Sequence, residues 1–476
     1  MNGRIATEFP HRTRTLALAA VLHAFTHIYQ MALIPLYLPV QKFFGRAEVD
    51  DATLLVTAML VAYFLPSYTM GVLADRFSRK KLLTCGLTVN ALGFVGLALA
   101  PNYATALACV IVAGLGGSFF HPAATALIAQ LYPGRAGRAL GFLGIGASVG
   151  FFIGPLYAGL RAAHTGRWQT PVLELGILGL VAAGLFAWLA ENDGDKTERD
   201  SASLSSTRSG GEGRGEEVPM KPGASNVSVA PLPSPLPARA SQGEGEDSRD
   251  AILLNPNAAP EPMFPTPALW LMFLSAAFIF LLRDFTGSSM STVGSLFLQK
   301  ARGFTLAQTG WAISLIFIAS AVSNPLFGHF SDGSRLRWAA GLIIISAALV
   351  AVFPHVPRAF VIPTLAVYGF VFMASYPIVE AALMEAVPDS VRGRVFGLFI
   401  TIGGLLGNLS HYVVGHWVQS FGASANEVTT YFPLYNWLAV FLLLSLAGLP
   451  CLRALQKRER LVEAHATHPP LHTAIK

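Results

Sequence analysis

Gly71-Val-Leu-Ala-Asp75-Arg76-Phe-Ser-Arg79-Lys80-Lys81 decides how the rest of this chain is read. It lies between apolar runs at about Thr53–Ala74 and Leu82–Ala100, and it is too charged to enter a bilayer. One acid is followed by four bases within six residues. Gly71 stands one helical turn before Asp75, so a helix ending there is expected to dock closely at the glycine. It would then hold Asp75, Arg76, Arg79 and Lys80 at the membrane surface. An eroded copy, Gly328-His-Phe-Ser-Asp332-Gly-Ser-Arg335-Leu-Arg337, follows 257 residues later. The chain therefore reads as two related halves, each with a charged hinge between its second and third spans.

Composition points the same way. Of 476 residues, 53% are hydrophobic and 13% charged, with mean hydropathy +0.52. A soluble core of this size does not need so much apolar sequence, so an integral membrane protein is expected. At roughly 20 apolar residues per bilayer-spanning helix, twelve segments qualify. The net charge of +6 does not indicate nucleic acid, because the bases sit in short loops between apolar spans. Cys85 and Cys109 fall inside apolar spans and Cys451 near the last one, which makes no disulfide framework; they read as small buried residues. The apolar stretch that begins at Leu16 runs past His23 and His27 to Val40, so it reads as a retained first span and not as a secretory signal.

In chain order, six spans are expected within residues 1–190 and six within 267–476, the latter followed by a short tail. Between them, 191–266 is rich in Ser, Gly, Pro and charge and lacks an apolar run that could build a core, so it reads as a disordered linker. Short loops on one side carry 18 Lys and Arg residues against 7 on the other. With twelve spans, both termini and the linker are then expected in the cytoplasm. The repeat extends beyond the hinge. His23-Ala-Phe25-Thr26 aligns with Arg283-Asp-Phe285-Thr286, His121-Pro122 with Tyr376-Pro377, and Gly137-Arg138 with Gly393-Arg394, all at offsets of 255 to 260. Offsets this steady argue for a duplicated six-span unit. Two such units rocking about a site at the bilayer midplane are the physical basis of alternating access.

These features resemble the major facilitator superfamily over essentially all of both halves. The hinge Gly71…Asp75-Arg76…Arg79-Lys80 looks like that family's signature loop, with Ser78 where its second glycine usually stands. Gly146-x-x-x-Gly150-x-x-x-Gly154-Pro155 is similar to the glycine-proline stripe of its antiporter branches. His23…Thr26-His27-Ile-Tyr29-Gln30 and Phe119-Phe120-His121-Pro122 look most like the fosmidomycin-resistance branch of drug exporters. Thr26-His27 and Ala123 stand where that branch carries carboxylates. The resemblance implies an all-α membrane protein with twelve transmembrane helices in two pseudo-symmetric bundles. It also implies residence in a bacterial inner membrane, no cofactor, and a central cavity lined by spans 1, 4, 7 and 10.

The polar residues of the apolar spans fall on those four helices. In span 1, His23, Thr26, His27 and Gln30 form one stripe at i, i+3, i+4, i+7, which must face protein or water. It reads as a substrate or proton path, or else as helix–helix hydrogen bonding. The histidine pair is spaced for a metal, but no carboxylate or cysteine joins it, so no metal is expected. In span 7, Arg283 and Asp284 lie mid-span, with Ser288, Ser291 and Ser295 below. Adjacent residues point about 100° apart, so each is expected to need its own partner. Arg283 reads as an anchor for an anionic group and Asp284 as a proton site; the alternative is a salt-bridge network between the halves. In span 10, Tyr376 and Glu380 share a face. Desolvation disfavours a charged carboxylate, so Glu380 reads either as a coupling group that exchanges protons or as a partner for a histidine or Arg283. Ser118, His121 and Thr125 share a face of span 4. Asn408, His411 and Tyr412 in span 11 read as packing, with Gly403, Gly404 and Gly407 nearby signalling close approach, the glycine stripe of span 5 as a close helix contact that seals one face during the swing, and Glu174 as either a solvated or a functional position.

The expected function is a secondary transporter, a monomer handling protons and a small-molecule substrate in a lipid bilayer, exporting an amphipathic or anionic compound. Uptake on the same fold, or a receptor or scaffold without transport, are the alternatives. An enzyme is not expected, since no nucleophile elbow, paired metal ligands or phosphate-binding glycine loop is present.

Overall fold

The computed structural model describes residues 11–45, 48–132, 135–191, 262–388 and 391–467. Most of the expected linker, and the side chain of Asp75, lie outside the described residues. Among the described residues the chain is helical, without strands. Eleven helical segments are long and apolar enough to cross a membrane: Arg12–Phe43, Arg79–Ala98, Tyr103–Leu131, Arg138–Thr165, Gln169–Leu189, Pro267–Lys300, Leu306–Phe330, Arg335–His355, Arg358–Met384, Arg392–Ser420 and Val428–Lys457. The twelfth, expected as span 2, is broken. It runs as Val49–Phe64 and Ser67–Arg76, because Pro66 cannot donate within a continuous helix. Spans are numbered 1 to 12 on this basis.

Other breaks are equally local. Span 1 passes through a tight turn at Ile34–Leu36 before resuming at Tyr37–Phe43. Span 4 stops at Gly117 and restarts at Phe120, and span 11 stops at Gly407 and restarts at Ser410. A few helix starts carry side-chain caps. Asn102 accepts from the Thr105 amide, and Thr305 and Gln308 form a reciprocal capping box. Gly166, at φ 67°, closes span 5 in the left-handed region that favours glycine. The outer face is apolar: Trp188, Leu271, Leu99 and Val322 are more than 60% exposed, which suits lipid and not water.

The same pairing recurs in each half. Span 1 packs on span 5, span 2 on span 4 and span 3 on span 6; likewise 7 packs on 11, 8 on 10 and 9 on 12. Between the halves, span 5 meets span 8 and span 2 meets span 11. Small residues allow this. A β-carbon on Gly159 would collide with the backbone of Leu306 and Gly310, and one on Gly415 with Thr53. The stripe Gly146, Gly150 and Gly154 shows what such close packing does. It makes the expected close helix contact, docking on the backbone of Ala20, Ala24 and Ile28 of span 1, while Pro155 and Gly159 farther along the same helix meet Gly310 of span 8. Gly71 is a correction: a β-carbon there would only touch Pro122 at 4.0 Å, an ordinary contact, so no close docking depends on that glycine. Cys85 is exposed and Cys109 and Cys451 are partly so, which corrects the expectation that they are buried.

Hydrogen bonds between halves gather at the end opposite the basic loops. Ser295 Oγ donates to the Ile34 carbonyl at 2.7 Å and Gln299 Nε2 to the Pro35 carbonyl at 3.1 Å. The Val49 amide donates to Gln419 at 2.8 Å, and His416 pairs with Asp50 at 2.8 Å. Tyr37, Thr292 and His411 form a buried group there, Tyr37 and Thr292 at 3.0 Å. At the basic end, Asp332 pairs with Arg335, which also holds Glu385, all inside the second half.

Candidate functional site

Two polar clusters lie among the spans, one in each half. In the first, the sequence repeat of one turn brings His23, His27 and Gln30 onto the buried side of span 1, each about 7% exposed. His23 Nδ1 lies 2.9 Å from the Leu143 carbonyl of span 5, His27 Nδ1 lies 2.8 Å from Gln30 Oε1, and the two Nε2 atoms face each other at 3.1 Å. The restart of span 4 places Phe120 and His121 in its opening turn. Phe120 stacks on His23 with centroids 4.6 Å apart, and His121 meets the same ring edge-on at 5.2 Å. Phe151 covers His27 at 4.1 Å and Tyr63 meets His121 at 6.1 Å. Thr26 is turned away from this group: its hydroxyl returns to the Leu22 carbonyl one turn back.

In the second cluster, Arg283 is 1% exposed. Its Nη2 lies 2.9 Å and its Nε 3.0 Å from Asp284 Oδ1, and Nη1 donates towards the Ser375 carbonyl at 3.4 Å. The guanidinium sits 4.0 Å above the Tyr376 ring. The expectation that Arg283 and Asp284 would need separate partners is overturned. The long arginine side chain folds back over its neighbour, so the two charges neutralise each other within one helix, and the alternative of a bridge between halves does not describe them. Glu380, one turn beyond Tyr376, is close enough to feel the charges of Arg283 and Asp284. Ser288 donates to Asn408 Oδ1 at 3.1 Å, and Asn408 returns a bond to the Gly404 carbonyl. Ser295 belongs to the seal at the far end. Glu174 accepts from Tyr157 at 2.6 Å and pairs with Arg161, tying span 6 to span 5.

The clusters approach each other across the span 2–span 11 seam. Tyr63 packs on His121. Its neighbour Phe64 occupies the space beside Gly404, and Gly403 abuts the Asp284 carboxylate. Tyr63, Phe64 and Phe151 were not singled out from sequence, since an aromatic residue in an apolar span carries no polar signal. The glycine pair was visible only as a packing feature.

Comparison with known proteins follows this geometry. The family profile described as Major Facilitator Superfamily matches residues 16–411. An uncharacterized MFS-type transporter of Mycobacterium tuberculosis, Rv1250, is 34% identical over 27% of this chain, and that stretch spans only 22% of its own length. The fosmidomycin resistance protein of Escherichia coli is 19% identical over 92% of this chain and 96% of its own. Among solved structures, a bacterial homologue of the human lysosomal transporter spinster, captured inward-facing, superposes with TM-score 0.63 at 14% identity, covering 96% of this chain and 97% of that one.

Proposed function

Because the chain belongs to the Major Facilitator Superfamily, a family of membrane transporters and not of enzymes, we propose that it exports a small amphipathic or anionic compound in exchange for protons. The observation that carries this reading is the second cluster. Asp284 pairs with one buried guanidinium, Arg283, and a second carboxylate, Glu380, lies one helical turn from Tyr376, the ring that the guanidinium covers. With all three ionised the group is one proton short of neutrality, and net charge away from water is costly. Taking up one proton removes that charge; an anionic substrate at Arg283 would compete for the same compensation. Either event alters the stability of the closed cluster, which is what coupling needs. Efflux is favoured over uptake by likeness to proteins named for fosmidomycin and multidrug resistance.

On this reading His23, His27, Gln30, His121, Arg283, Ser288 and Tyr376 contact substrate, Thr26 does not because it is turned back onto Leu22, and Asp284, Glu380 and His27 handle protons. The hinge residues Gly71, Asp75, Arg76, Arg79, Lys80 and Asp332 gate the basic end. The protein works as a monomer in a bacterial inner membrane with both termini cytoplasmic, as the Lys and Arg distribution supports. The test pairs a deletion and an overexpression strain, screened against phosphonates, dyes and organic acids, with proton flux in reconstituted vesicles. Transport that survives a collapsed proton gradient, with Glu380→Gln, Asp284→Asn and His27→Ala at wild-type rates, would end the coupling proposal.

A further inference from the structure

We propose that His23, His27 and His121 form a binding site for one divalent transition-metal ion of the zinc, cobalt or nickel type. Sequence alone offered only a pair of histidines; the fold supplies the third, from another helix. The three rings converge so that one nitrogen from each lies within 4.8 Å of the others.

The hydrogen bonds around the pair carry the argument. A carbonyl oxygen can only accept, so His23 Nδ1, 2.9 Å from the Leu143 carbonyl, bears the proton. His23 Nε2 is then a bare lone pair. With Gln30 Oε1 as the acceptor of His27 Nδ1 at 2.8 Å, the amide orientation the structure gives, His27 Nε2 is bare as well. These two lone pairs face each other at 3.1 Å. Two acceptors at that distance repel unless a cation lies between them.

A metal ion answers the geometry in four ways. With metal–nitrogen bonds of about 2.0–2.1 Å, two ligands of a tetrahedral ion stand about 3.3 Å apart, close to what is seen. Histidines at i and i+4 on one helix face share a metal in well-known helical sites. Each ring of the pair gives its other nitrogen to an oxygen acceptor, the arrangement that orients metal-binding imidazoles. A third imidazole has no part in a proton shared by two nitrogens, but it completes a three-histidine set with a fourth position open. His121 is exposed, which gives the ion a way in. Phe120, Phe151 and Tyr63 wall the other sides and fix the rings.

The three histidines also belong to the proposed substrate and proton path, but the metal site does not rest on that reading. Ion binding is measured on the full-length untagged protein in detergent, with neither substrate nor gradient, so a failed transport reading leaves it untouched. The probe is cobalt(II), followed by visible absorption after chelator treatment and dialysis. The expected result is about one ion per chain with a tetrahedral band, displaced by zinc, and a rise in unfolding temperature with either metal. His27→Gln and His121→Gln should lose the band and the thermal shift while eluting as the wild type does. A triple variant of the tail, His465→Gln, His468→Gln and His472→Gln, should keep both. No stoichiometric cobalt on the wild-type protein would overturn the proposal, and the pair would then close through a simple N–H···N bond with the Gln30 amide turned. A band retained in both His27→Gln and His121→Gln would overturn it equally.

Discussion

Gly403 of span 11 lies so close to Asp284 of span 7 that a β-carbon in its place would overlap the Oδ2 atom. Gly407, one turn on, meets the Asp284 β-carbon in the same way. The carboxylate is thus pinned between Arg283 and a glycine face. Gly403→Ala is expected to push the carboxylate off Arg283 at a cost of about 1–3 kcal/mol, as overpacked cores show. Transport in vesicles should fall by roughly 5- to 140-fold on the tenfold-per-1.4 kcal/mol scale, with normal insertion by protease mapping. Wild-type transport would show that the carboxylate's position does not matter.

Removing Arg283 alone should harm the fold. Arg283→Gln strands Asp284 without its partner, and breaking a buried pair costs about 3–5 kcal/mol. The double variant Arg283→Gln with Asp284→Asn removes both charges and should regain most thermal stability while remaining inactive. Thermal unfolding in detergent, read beside vesicle transport, separates the two effects. A double variant as unstable as the single one would contradict the pairing.

The span 5 stripe offers an internal comparison. Gly150→Ala would set a β-carbon against the Ala24 carbonyl, whereas nothing lies within 4 Å of the same atom at Gly144. Gly150→Ala is expected to lower the unfolding temperature and folded yield. Gly144→Ala should be neutral or stabilising by up to about 1 kcal/mol, the propensity gap between the residues. Equal behaviour of the two would remove the packing role.

At the hinge, the helix Ser67–Arg76 ends one residue after Asp75. An acid in a last turn is disfavoured by the helix dipole, so its retention there fits a partner that is engaged in only one state. Asp75→Asn is expected to impair transport without affecting insertion. Rates matching wild type in vesicles would dispose of a gating role for Asp75.

Much of the fold was legible because lipid imposes a strong rule: backbone polar groups must be satisfied within each span, so length and hydropathy reveal helices. The break at Pro66 was legible in principle from the missing amide, yet the apolar run hid it. The buried face of span 1 followed from its 3.6-residue period. What periodicity could not tell was which helix answers which. His121 beside His23, and Arg283 folded onto Asp284, depend on the restart of span 4 and on the reach of a flexible side chain. The span 5 glycines were recognisable as a contact surface, but the partner, span 1, needed coordinates.

Gln299 reaches the Pro35 carbonyl from the opposite half, and that acceptor is available for a covalent reason. In a continuous helix it would be taken by the amide four residues on, but that residue is Pro39, which has none. The ring of one imino acid thus leaves an oxygen that its own helix cannot use and a distant glutamine can. A side chain that withholds a hydrogen becomes the means by which two separate bundles find their register, and replacing it would let span 1 satisfy itself and loosen its hold on the rest of the molecule.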